Sequence, residues 1–160
     1  MNLLKIMMLA LVATLTMPVI AQEKTTTADS TMEILRQKLK ADKKLVIAAN
    51  MGLTDVEAKA FWPIYDAYQK DLRVINDRLA NAIGAYAEAF RGGPVSNETA
   101  RQLLDESFAI ETAEVTLKQS YVPKLQKALS DSKVARYIQL ENKIRALLKY
   151  ELADNIPLVQ

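Results

Sequence analysis

The sequence predicts an all-α fold of four helices built on a long, bent antiparallel hairpin. Three observations carry that reading. Apolar residues at Phe61, Tyr65, Tyr68, Leu72, Ile75, Leu79, Ala82 and Tyr86 recur in alternating steps of four and three, the spacing of one stripe along a helix. Two capping boxes, STME at Ser30–Glu33 and TDVE at Thr54–Glu57, mark helix starts. No segment shows the sustained period-two alternation of a half-buried strand.

The first helix starts at the Ser30 box and runs to about Met51, with Gly52 placed as its left-handed stop. The second starts at Thr54 and keeps its seam until RGGP at Arg91–Pro94. Its length is roughly 55 Å at 1.5 Å per residue, so it needs a partner along its flank. A coiled-coil-like dimer is one source of that partner and a neighbouring helix of the same chain is another. Ser96 or Asn97 starts the third helix, with Leu103, Ile110, Leu117, Tyr121 and Leu125 on its seam. Ser130 is placed to cap the fourth, with Asp131 favourable against the helix dipole. Val134, Tyr137, Ile138, Ile144, Leu147, Leu148 and Leu152 form the fourth helix's apolar face. The single helical domain is therefore 31–154, with a short apolar tail at 155–160.

The short GGPVS connection makes the second and third helices antiparallel neighbours. Counting outward from the turn places Pro63 opposite Pro123. Each proline lacks a donor and crowds the carbonyl four residues back, those of Lys59 and Gln119, so each bends its helix. Two bends at one level keep the two arms in contact. A weak internal repeat is also visible: LTDVEAKAF at Leu53–Phe61 aligns with LSDSKVARY at Leu129–Tyr137. Common ancestry explains it, and so does shared helix-start grammar.

Residues 1–21 have the form of a secretory signal peptide. Lys5 precedes an apolar run, and Val19-Ile20-Ala21 fits a cleavage site before Gln22. An uncleaved anchor is the competing reading of the same run. Residues 22–30 are polar and aperiodic and read as a disordered leader. The expected location is thus the periplasm or another exported compartment. There is no cysteine, so packing alone must hold the exported domain. There is no histidine either, which removes the commonest metal ligand and general base. The 21 basic and 19 acidic residues come closer to balance once Lys5 is removed, unlike a nucleic-acid-binding chain.

The layout and the two repeat stretches resemble the periplasmic Spy/CpxP-type family, whose helix starts carry LTxxQ motifs. Here the motifs read LTDVE at Leu53–Glu57 and LSDSK at Leu129–Lys133, so Glu57 and Lys133 stand where the family has glutamine. The resemblance implies four helices, a long bent hairpin, a cradle-shaped antiparallel homodimer, and ATP-independent chaperone or envelope-stress activity. The family's metal-sensing members use His-rich sites, which this chain lacks.

Candidate chemistry is sparse. Asp105, Glu106, Glu111, Glu114 and Glu141 are carboxylates on the third and fourth helices, but a di-iron bundle also needs histidines. They read instead as a solvated face pairing with Lys70, Arg73 or Arg78. No catalytic, cofactor or metal site is expected. Arg36, Lys38, Lys40, Lys43 and Lys44 alternate with Leu35, Leu39, Leu45 and Val46, either an ordinary surface helix or a basic face that meets lipid or unfolded protein. Phe61 and Tyr65 lie on the seam, whereas Trp62 is about 100° off it. The fourth helix, through Tyr137 and Ile138, is the expected cover for Trp62; uncovered, it would mark a binding patch. The candidate protein-binding residues are Trp62, Phe61, Tyr65, Arg36, Lys40 and Lys43. The function expected is non-catalytic binding of unfolded or stress-exposed proteins, the alternative being a regulatory or structural module with one envelope partner.

Overall fold

A computed structural model describes residues 42–160. The expected signal peptide, the leader, and the start of the first helix with Arg36 and Lys40 lie outside the described residues. Four helices follow one another: α1 (42–51), α2 (Asp55–Arg91), α3 (Asn97–Gln126) and α4 (Asp131–Asn155). No strand occurs among the described residues.

The helix boundaries follow from local chemistry. Gly52 ends α1 at φ +55°, where a side chain would be strained. Thr54 then opens α2 with a reciprocal cap. Its hydroxyl accepts the Glu57 N–H at 3.3 Å, and the Glu57 carboxylate accepts the Thr54 N–H at 2.8 Å. Gly93, at φ +120°, shapes the turn after α2, and Ser96 caps α3 by accepting the Thr99 N–H at 3.1 Å. Ser130 occupies the cap position of α4, but its side chain makes no capping bond. Its hydroxyl lies 3.1 Å from that of Ser132 instead, so the expected cap is only positional.

Helices α2 and α3 pack as an antiparallel hairpin. Arg78 forks onto Glu106 near the turn, with Nε–Oε1 at 3.0 Å and Nη2–Oε2 at 2.9 Å. Farther out the Tyr68 and Tyr121 rings meet edge to face at 5.3 Å, and Tyr121 Oη donates to Asp71 at 2.6 Å. The Arg78–Glu106 and Tyr68–Tyr121 pairs set a register within one helical turn of that counted from the turn. Both helices run unbroken through Pro63 and Pro123.

Away from the turn, the seam is covered within the chain. Phe61, Tyr65, Tyr68, Leu72 and Ile75 of α2 are buried, as are Ile110, Tyr121 and Leu125 of α3. The main core lies at the end away from the turn, where Ile47 and Met51 of α1 and Val134 and Tyr137 of α4 join them. Toward the turn, Leu79, Ala82 and Tyr86 are only half-buried. The apolar face of α4 divides in the same way. Val134 and Tyr137 are buried, Ile138, Ile144 and Leu152 are half-buried, and Leu147 and Leu148 are exposed. The tail is also exposed at Leu158 and Val159, although Tyr86 Oη donates to the Pro157 carbonyl at 2.9 Å. No helix among the described residues is long and apolar enough to cross a membrane.

Candidate functional site

The aromatic crowd at the start of α2 forms one stacked cluster. Tyr137 of α4 sits at its centre, edge-on to Phe61 at 5.2 Å, Tyr65 at 6.1 Å and Tyr68 at 6.1 Å. Such geometry places ring edges on ring faces and adds to simple burial. Phe61 and Tyr65 are 0% and 1% exposed, so they are core residues and offer no surface to a partner. Their place on the seam, which faces the hairpin interior, is the physical reason.

Trp62 is half-buried. Tyr137 does not stack on it. The ring meets Phe61 at 5.0 Å and Tyr65 at 5.3 Å, while the Lys44 ammonium of α1 lies 4.9 Å above it. Lys44 is held there by Asp66 at 3.0 Å. A cation from α1 thus lies over the Trp62 face, and Trp62 and Ile138 of α4 both pack against the core cluster.

Lys43 is likewise committed. Its ammonium donates to Glu141 at 2.7 Å and to Gln69 at 2.9 Å, and Gln69 Nε2 donates to Glu141 at 2.9 Å. Glu141 is 4% exposed, so the expected solvated carboxylate is a buried acceptor of two bonds, and Lys43 is not free to attract clients. Glu114 departs from expectation in the same sense. It is buried on the α3 seam and pairs with Arg145 of α4, whose Nη1 also donates to Asn76 at 2.7 Å. Only Glu106 meets the expected partner, Arg78, while Glu111 pairs with Lys149 at 3.1 Å. Both buried carboxylates fall four residues after a buried apolar residue, Ile110 or Tyr137. That spacing is the signal which could have found them.

The two repeat stretches face each other. Phe61 and Tyr137, the aligned aromatics, are in contact, and Glu57 and Lys133, the aligned fifth positions, form an ion pair at 2.6 Å. Lys133 also donates to the Gly52 carbonyl at 2.9 Å. The two departures from glutamine are thus complementary charges bonded to one another. The Lys133 hydrogen bond, aided by the Thr54 N–H, holds the Glu57 carboxyl below the usual carboxylate range.

Burial raises the hydroxyls of Tyr65, Tyr68 and Tyr137 well above the ordinary tyrosine range. Burial together with the bond to Asp71 pushes Tyr121 up to about 12. All four phenols belong to the buried core cluster. No group of three or more potential metal ligands is assembled among the described residues.

The open surface lies on the hairpin. Glu111, Glu114 and Lys118 of α3 reach α4, whereas the opposite flank of α3 is uncovered. A shallow groove of about 570 Å³ runs there, bounded by Ile75 of α2 and by Ala109, Ala113, Thr116, Leu117 and Ser120 of α3. Small side chains let another chain approach the backbone closely. Sequence reasoning missed this groove because alanine and threonine carry no strong signal in a periodic pattern. Comparison of the chain with protein families, curated proteins and solved structures gave no match.

Proposed function

We propose that this chain is a non-catalytic exported protein, similar to the Spy/CpxP-type family, that holds unfolded or stress-exposed proteins without ATP. The observation that carries the reading is the open groove beside α2 and α3, lined by Ile75 and by small and apolar side chains of α3. A shallow apolar strip with no deep pocket suits many weakly bound sequences better than one small molecule. The prolines of both arms fit this reading, since each frees a carbonyl and favours a bend toward a concave inner face. Phe61 and Tyr65 are core packing and Lys43 is bonded to Glu141, so this surface is separate from those residues.

The test is suppression of aggregation of a chemically unfolded client by the purified protein. Equimolar protein should slow aggregation, and Ala113→Glu, which places a charge in the groove, should remove most of that effect while leaving helicity unchanged. Client aggregation that is indifferent to equimolar protein would overturn the chaperone reading. Recovery of one specific envelope protein in its place would favour a regulatory or structural module.

A further inference from the structure

Helix α1 is held in place by little apolar surface. Of residues 43–51 only Ile47 and Met51 are buried, and the rest of its attachment is polar. At its first turn Lys43 donates to Glu141 of α4 at 2.7 Å and Lys44 to Asp66 of α2 at 3.0 Å. At its last turn the Asn50 carbonyl accepts Arg136 Nη1 at 3.3 Å and the Gly52 carbonyl accepts the Lys133 ammonium at 2.9 Å, both from α4. The cradle between α2 and α4 is thus anionic where the helix begins and cationic where its free carbonyls end. That order complements a helix dipole in one direction only. Two further features suit an occupant that can leave. Residues 52–54 are non-helical and Gly52 has φ +55°, which makes a short hinge. The Lys44 ammonium lies 5.7 Å from the Tyr65 ring, whose buried hydroxyl has no hydrogen-bond partner among the described residues. The closed arrangement therefore leaves a polar group unmet that water would satisfy on opening.

We infer that the α2–α4 cradle is a helix-binding site, that α1 fills it as a displaceable internal occupant, and that a basic amphipathic helix of another protein takes its place. So short a helix does not persist by itself in water, so the cradle makes α1 helical and would do the same for a segment of like pattern. The contacts define that pattern. Two adjacent cations meet Glu141 and Asp66, the second of them 4.9 Å over the Trp62 ring. Aliphatic side chains follow four and eight residues after the first cation, at the places of Ile47 and Met51. The occupant's last carbonyls meet Lys133 and Arg136. A tethered occupant competes at an effective concentration on the order of 1 mM, so entry of a partner is coupled to α1 swinging out about Gly52. The cradle shares no residue with the groove beside α3 and stands whether or not that groove receives a client.

Trp62 is the single tryptophan and lies under Lys44, so its quenching by acrylamide reports occupancy of the cradle in the full chain. Ile47→Asp should release α1, raising the quenching about twofold while circular dichroism loses no more helix than α1 contains. A synthetic peptide of residues 43–52, KKLVIAANMG, should return that variant saturably to the parent's quenching. It should act on the parent at least about tenfold more weakly, because the tethered α1 competes there. The peptide carrying Lys43→Glu with Lys44→Glu, or Ala48→Pro, should not act. Hydrogen exchange of the parent chain gives a second measure should Ile47→Asp unfold the domain: the α1 amides should exchange at least about tenfold faster than those of Tyr65–Leu72. Exchange of α1 only together with α2, quenching indifferent to the peptide, or equal restoration by the altered peptides would overturn the proposal. Dimers of the parent formed by exchanged α1 would assign the cradle to a second copy and overturn the assignment to a partner.

Discussion

Glu141 sets a measurable cost on the way α1 is attached. Its carboxylate is 4% exposed and receives both Lys43, itself 18% exposed, and Gln69. Removing one partner of a buried pair costs about 3–5 kcal/mol, because the other charge stays behind unpaired. Lys43 has a flexible stem and partial access to water, which lowers the expected loss for Glu141→Ala to about 2–3 kcal/mol. For a domain of this size that is a fall in Tm of roughly 8–12 °C. Replacing both charges, Lys43→Met with Glu141→Leu, removes the unpaired ion and should return stability to within about 1 kcal/mol of the parent. Urea unfolding followed by far-ultraviolet circular dichroism measures each variant, and the cycle with Lys43→Ala isolates the coupling. A loss below about 1 kcal/mol for Glu141→Ala, or full additivity with Lys43→Ala, would refute the assignment of a coupled buried pair.

Other outcomes follow from the same packing. Glu57 is held below its ordinary pKa by folding, so its contribution is present above the unfolded value, about 4.3, and is lost as pH falls through the lower folded value. Glu57→Gln should flatten the acid limb of a Tm-against-pH curve, and an unchanged limb would count against the Lys133 bond. Tyr65, Tyr68, Tyr121 and Tyr137 should resist ionisation above pH 10, and stability should fall as pH rises beyond that point because the unfolded chain loses those protons first. Phenolate absorbance during alkaline titration, with and without denaturant, reads this. The Tyr65 hydroxyl is buried without a hydrogen-bond partner among the described residues, whereas Tyr121 donates to Asp71. Tyr65→Phe should therefore be neutral or slightly stabilising, while Tyr121→Phe should cost about 1–2 kcal/mol by chemical denaturation. Lys44→Ala should raise the acrylamide quenching of Trp62, the single tryptophan, with little change in overall stability.

Much of the hairpin was legible because its signals are local. Thr54 and Glu57 cap each other within one turn, Gly52 and Gly93 adopt the conformations that favour glycine, and the seam from Phe61 to Ile75 keeps one face inward. The candidate site was less legible because its covering groups come from distant parts of the chain. Lys43 finds Glu141 and Lys44 finds Trp62 only once α1 has docked, and no spacing rule links those positions. A rule that sends carboxylates outward also misplaces Glu114 and Glu141. Their positions lie on buried faces, and their charges are met by Arg145 and Lys43. Ser130 shows the reverse limit: the residue stands at the cap position, but its rotamer serves Ser132.

The meeting of the two repeat stretches bears on inheritance. Glu57 and Lys133 are far apart in sequence and share one bond, so a mutation at either leaves a charge that the other no longer answers. The two codons should drift together: reversal at one position is tolerated with reversal at the other, and a neutral pair substitutes for a charged one only when both change. In any set of homologues, positions 57 and 133 should form a covarying pair, with the aromatics at 61 and 137 changing more slowly beside them.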